Sequence, residues 1–122
     1  MGVVEVEDVR IGVVSIHLDP FKSHVRMKQL ESLYSTLEPL DIPLIVMGDF
    51  NLEWSVELEA ICSRLGLQPY APTQSLVSFP KLNQRLDWIL IDDSLGFQTY
   101  HTESTTLSDH NLIVSTIRLD TE

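Results

Sequence analysis

The sequence predicts an α/β domain: a mixed β-sheet with helices packed on one face. Three observations lead there. Apolar runs rich in Val, Ile and Leu recur at Arg10 to Leu18, Leu44 to Met47 and Leu86 to Ile91. The stretches that separate them carry apolar residues at helical spacing instead. The order that results, β-α-β-α-β-β-β, combines crossovers with direct strand-to-strand connections, as mixed sheets do.

A first strand covers Val3 to Val6, and Glu7-Asp8 form the turn into the next. Arg10 to Leu18 is β-branched and almost continuously apolar, the pattern of a strand buried on both faces. Ser23 is placed to cap a helix through about Leu37, with Leu30, Leu33, Tyr34 and Leu37 as its apolar stripe. Pro39 and Pro43 bracket the exit, and Leu44 to Met47 is the next strand. A second helix starts at Ser55, places Leu58, Ile61, Cys62 and Leu65 on one face, and stops at Gly66. Residues 68–84, with Pro69, Pro72, Pro80 and several Ser, Thr and Gln, read as a long surface loop. Leu86 to Ile91, Phe97 to Thr102 and Leu112 to Leu119 complete the strands. With helices on one face only, the other face still presents Val13, Ile45 and Ile89 or their neighbours. Such an apolar surface needs a partner.

At 122 residues the chain makes one domain, 1–122. A hydrophobic content of 43% and a mean hydropathy of +0.06 exclude a disordered chain. No apolar run approaches the roughly 20 residues of a membrane span. Glu5, Glu7 and Asp8 stand where a signal peptide is basic, and Cys62 is the sole cysteine, so a cytoplasmic location is expected. The net charge of −10 disfavours gripping nucleic acid through the general field of the molecule. Most of the excess acid reads as solvated surface. A divalent cation can still invert the local sign that a phosphate meets.

Four short motifs carry chemistry. Gly48-Asp49-Phe50-Asn51 follows directly on the apolar run ending at Met47, so an acid and an amide reach the rim of a sheet together. Ser15-Ile16-His17-Leu18-Asp19 lies upstream; Arg85-Leu86-Asp87-Trp88-Ile89-Leu90 and Ser108-Asp109-His110-Asn111 lie downstream. Together they supply two imidazoles, several carboxylates and an amide, the groups that metal-assisted phosphoester hydrolysis requires.

In this order and at these intervals the motifs resemble the endonuclease/exonuclease/phosphatase superfamily, which includes DNase I, apurinic endonucleases, neutral sphingomyelinases and inositol polyphosphate phosphatases. The resemblance runs from about Arg10 to Leu119. Arg26 and Gln29 resemble the family's Arg-x-x-Gln helix, and Thr73 ahead of Phe79-Pro80 resembles the Thr before its penultimate motif. It implies half of a DNase I-like four-layer α/β sandwich, with a Mg²⁺ or Mn²⁺ site at the sheet edge. It further implies that His110 activates the attacking water and is oriented by Asp87. Asp109, with Asp49, would bind metal. Asp49 and Asn51 would hold the nucleophile and the phosphoryl oxygens, and His17 would stabilise phosphate charge or aid the leaving group.

Members of that family carry an N-terminal half that supplies an Asn and a metal-binding Glu. Only sixteen residues precede His17. The chain is therefore expected to be the C-terminal half of such a domain, a truncated catalytic module without that Glu. Two functions follow as expectations. One is a metal-dependent phosphoesterase acting on a nucleic acid, a phospholipid headgroup or a small phosphoester. The other is a catalytically incompetent half-domain that binds or self-associates. Either way the open sheet face calls for a homodimer partner or an N-terminal half.

The chemistry agrees with those roles. A carboxylate beside a histidine keeps its tautomer and tolerates the imidazolium, which suits Asp87 and His110. Asp49 and Asp109 are hard oxygen donors of the kind Mg²⁺ accepts. His24 and His101 read as surface or helix-start residues, Asp19 as a turn before Pro20, and Trp54 and Trp88 as packing. Arg85 has two readings, a pair with Asp87 or a contact to substrate phosphate.

Overall fold

A computed structural model describes residues 1–119; the remainder of the expected 1–122 domain lies outside the described residues. Five strands form one sheet: β1 (Gly2–Val6), β2 (Val9–His17), β3 (Leu44–Asp49), β4 (Leu67–Gln68) and β5 (Asp87–Asp92), in the spatial order β1-β2-β3-β5-β4. Helix α1 (Ser23–Leu37) makes the crossover that lets β2 and β3 run parallel. All other neighbours are antiparallel, so the sheet is mixed as expected. Helix α2 (Val56–Leu65) follows β3, while β6 (Leu95–Glu103) and β7 (Leu112–Leu119) form a separate two-stranded ribbon.

The period of two along each strand divides the sheet into two unlike faces. Val14, Val46, Trp88 and Leu90 point to the helical side, where Leu37, Leu58, Ile61 and Cys62 cover them. The stripe Leu30, Leu33 and Tyr34 packs against the same cluster. On the opposite side Ile11, Ile91 and Leu95 are buried, with Val9, Ile45, Ile89, Phe97, Ile117 and Leu119 around them. The chain's own β6–β7 ribbon thus covers part of the face that was expected to lie bare. Met47 remains 36% exposed there, and Leu112 and Val114 on the ribbon are also open.

Local signals were mostly realised as read. Glu7 and Asp8 take φ of 50° and 66° between the paired residues Val6 and Val9, the two positive φ values of a type I′ hairpin. Gly66 ends α2 in the left-handed region and donates to the Cys62 carbonyl, while the Ser55 hydroxyl accepts from Leu58 N–H at its start.

Three expectations need correction. Ser23 is not the cap of α1; Lys22 occupies that position, and the preceding turn is held by Asp19 Oδ1, which accepts from Phe21 and Lys22 N–H. Strand β2 is not buried on both faces, because Ser15 is exposed and His17 stands at the rim. Residues 68–84 are not simply surface loop. Ser78 is fully buried, Phe79 and Gln84 bridge in antiparallel fashion, and Pro80–Leu82 form one 3₁₀ turn.

Candidate active site

The register of the three central strands builds the site. His17 lies opposite Asp49, and Asp49 lies opposite Asp87. All three end on the non-helical face, so their side chains form one row across β2, β3 and β5 at the same sheet edge. The spacing in sequence is large; in space it is that of neighbouring strands.

Each residue of Gly48-Asp49-Phe50-Asn51 has a separate task. Gly48 has φ of +139°, and a Cβ there would meet the Ile16 carbonyl oxygen at 2.0 Å, so only glycine lets β3 close on β2. Asp49 points into the row. Phe50 is fully buried in the helical core and donates its N–H to Leu86 O at 2.9 Å, anchoring the turn. Asn51 takes φ of 51°, donates its N–H to Asp49 Oδ1 at 2.8 Å and its side-chain amide to Leu18 O at 2.6 Å. The carboxamide therefore stitches two strand ends together, and Asn51 borders the groove beside His110.

His110 arrives from the loop between β6 and β7. Asn111 pins that loop, donating its backbone N–H to Ser78 O at 2.7 Å and its side chain to Val77 O at 3.0 Å. The imidazole packs on the Phe79 ring with centroids 4.9 Å apart. Its Nδ1 lies 2.6 Å from Asp87 Oδ2, and its Nε2 lies 3.6 Å from Asp49 Oδ2. The short contact assigns the proton to Nδ1 and leaves Nε2 as the free basic nitrogen.

Burial pushes the Asp87 carboxyl above its ordinary range, and the hydrogen bonds from His110 and Ser78 pull it part of the way back. Burial also works to lower His110. The Asp87 hydrogen bond, with the charges of Asp87, Asp49 and Asp109, outweighs it, so His110 lies above the ordinary imidazole value. Ser78 supports this pair from below: its hydroxyl accepts from Leu86 and Asp87 N–H at 2.9 Å each. Ser78, Phe79 and the Asn111 side chain carry no role in the sequence reading. Their one signal is an apolar flank, Val77 and Phe79, inside a stretch otherwise rich in turn residues.

Three expected residues come together: Asp49, Asp87 and His110 offer ligand atoms all within 4.8 Å of one another. His17 is near, its Nε2 3.8 Å from Asp49 Oδ2, but its side chain is 74% exposed. Asp109 is exposed and stands beside His110 on the rim of a groove. Arg85 takes neither expected role. It is buried, donates to the carbonyls of Tyr70 and Ala71, and lies 3.9 Å over the Trp88 ring. The sequence reading of Asp19 holds, with Gln29 accepting its N–H at 2.9 Å and Arg26 donating to its carbonyl at 3.1 Å.

The donor set fits a hard divalent cation in part. Two carboxylates and an imidazole converge, yet Asp87 Oδ2 is committed to His110, which leaves Asp49 Oδ2 as the open oxygen. A cation that keeps several waters accepts such a sparse set.

The family model described as Endonuclease/Exonuclease/phosphatase family matches residues 7–110. No curated protein matches the sequence significantly. Among solved structures, an endonuclease/exonuclease/phosphatase family protein from Leptotrichia buccalis superposes with a TM-score of 0.75 at 20% identity, covering 96% of this chain and 52% of that one. The human Nocturnin catalytic domain, solved with bound sulfate, gives 0.63 at 23% identity, covering 96% and 51%. A mannosyl-6-phosphatase from Bacteroides thetaiotaomicron gives 0.62 at 17%, covering 91% and 52%. The chain spans about half the length of the solved structures it resembles.

Proposed function

Because the chain belongs to the endonuclease/exonuclease/phosphatase family, we propose that it carries the water-activating half of a metal-dependent phosphoesterase. One observation supports this above the others: the 2.6 Å His110–Asp87 contact, which leaves Nε2 directed toward Asp49. His110 Nε2 takes the proton of a water as its oxygen forms a bond to phosphorus. The bond from phosphorus to the ester oxygen breaks, the departing alkoxide takes a proton from solvent, and His110 later returns its proton to solvent. Asp87 holds the imidazole in the required tautomer and stabilises the imidazolium as it forms. Asn51 and His17 border the place where the phosphoryl oxygens sit. Mg²⁺ or Mn²⁺ bound through Asp49, with Asp109 at the rim, would neutralise charge on those oxygens. The substrate is a phosphoester, whether a nucleic acid end, a phospholipid headgroup or a small ester.

The test is hydrolysis of bis-(p-nitrophenyl) phosphate with Mg²⁺ or Mn²⁺. Turnover that EDTA stops, and that falls at least about 100-fold in His110→Ala, is the expected result. Turnover indifferent to that substitution would overturn the proposal.

A second reading is a binding or self-associating half-domain. It draws on the exposed Val3, Val4 and Val6 of edge strand β1 and on Met47, Leu112 and Val114. Absent turnover together with concentration-dependent association in light scattering would favour it.

A further inference from the structure

Next to His110 lies a groove of about 560 Å³, and its wall differs in character from the catalytic row. Phe79, Leu82, Leu86, Pro20 and Phe21 give it an apolar lining. Phe21 is 91% exposed and Leu82 63% exposed, an unusual placement for large apolar side chains. Phe21 is not on a loose loop. Asp19 Oδ1 accepts its N–H at 3.0 Å and that of Lys22 at 2.7 Å. Gln29 and Arg26 then tie Asp19 to α1. The fold thus holds an aromatic ring out in water beside the candidate catalytic histidine.

The charge of the groove narrows what enters. Among the described residues its wall contains no Lys or Arg; Glu53 and Asp109 are its carboxylates, and His110, shared with the neighbouring site, is its one imidazole. Away from His110, a second phosphate or other anion would meet acid and no counter-charge. A flat apolar group would bury against Phe79, Leu82 and Phe21 without any such penalty.

We propose that this groove is the subsite for the organic group of the ester, and that it selects phosphoesters whose organic group is uncharged and presents a flat apolar face. Phe21 is its principal specificity residue. The proposal rests on the phosphoesterase reading of the neighbouring site, and binding separates the two.

The probes are phenylphosphonate and methylphosphonate, which share the phosphoryl group and are not hydrolysed. They are titrated into isotope-labelled protein with Mg²⁺, following the amide signals of Phe21, Leu82 and His110. Phenylphosphonate is expected to bind about tenfold tighter, the yield of burying part of one ring. It should move the Phe21 and Leu82 signals, and the ratio should collapse toward one in Phe21→Ala. Phe21 is exposed, so that variant should fold. A charged analogue, 4-carboxyphenylphosphonate, should lose the gain. Equal affinity for phenyl- and methylphosphonate, with His110 signals moving in both, overturns the groove assignment and leaves the phosphoester site standing. A preference that survives Phe21→Ala also overturns it. Failure of both probes to bind overturns the phosphoesterase reading and this proposal with it.

Discussion

The two faces of the central sheet differ more than any other pair of surfaces in the molecule. On the helical face, β2, β3 and β5 contribute Val14, Val46, Trp88 and Leu90, none more than 7% exposed. At alternate positions of the same strands, the other face carries His17, Asp49 and Asp87 at the rim. The same backbone, read with period two, therefore serves two ends. Burial on one side supplies the stability that lets two carboxylates stand side by side on the other. Substitutions should separate cleanly along this division.

The largest effect on folding belongs to the helical face. Leu90→Ala deletes most of a fully buried side chain between two helices and the sheet. It should cost about 2–5 kcal/mol, seen as a lower urea midpoint. A cost under about 1 kcal/mol would mean that the helices do not pack as described.

Ser78→Ala tests where the two faces touch. The hydroxyl is buried and accepts two backbone N–H groups, those of Leu86 and Asp87. Its loss leaves those donors without a partner at the start of β5, at a cost of about 1–3 kcal/mol. Activity should fall along with stability, since Asp87 is the residue so positioned. Loss of stability with activity per folded molecule intact would show that Asp87 is set by its strand alone.

These two substitutions also mark where sequence reading works. Leu90 was legible because alternation and β-branching reveal a strand, and a strand's buried face follows from its period. The Asp49, Asp87 and His110 set was legible from its motifs, although only the register brings the first two opposite each other. Ser78 was not legible. A buried serine that accepts from a strand start has no periodic signature, and its neighbours Pro72 and Pro80 signal surface. Arg85 misled for a related reason: it lies two residues from Asp87 but ahead of β5, where the chain turns it to the Tyr70 and Ala71 carbonyls and the Trp88 ring. The turn that Asp19 holds ahead of α1 and the cover given by β6–β7 are likewise invisible to local pattern.

On the face that carries the carboxylates the effects are electrostatic. His110 lies above the ordinary imidazole value because Asp87, Asp49 and Asp109 outweigh its burial. Its folded value exceeds its unfolded one, so its contribution to stability is fully present below the unfolded value and is lost as pH rises through the folded value. Asp87→Asn removes the strongest of the favourable partners. His110 should then titrate at lower pH in metal-free protein by NMR, and the decline in urea midpoint across that range should flatten. The rising limb of any pH–rate profile should move the same way, since the proposed base is neutral His110. An unmoved His110 titration would mean that Asp87 does not hold its proton.

The smallest expected change in folding is at Asp49, and it is the sharpest test of the division between faces. Asp49→Asn keeps an oxygen in place to accept Asn51 N–H, the one hydrogen bond that the turn needs from this side chain. What it loses is charge. Its other oxygen lies 3.6 Å from His110 and 3.8 Å from His17, beyond hydrogen-bond reach, so little binding energy leaves with it. Relief of repulsion with the paired Asp87 works in the opposite direction. The urea midpoint should shift by less than the equivalent of about 0.5 kcal/mol. Mg²⁺ binding, followed by the NMR signals of the site or by calorimetry, should weaken at least about tenfold, because a neutral amide replaces the open carboxylate oxygen. A marked loss of stability with metal affinity retained would reverse the assignment, making Asp49 part of the scaffold and leaving the cation to other groups.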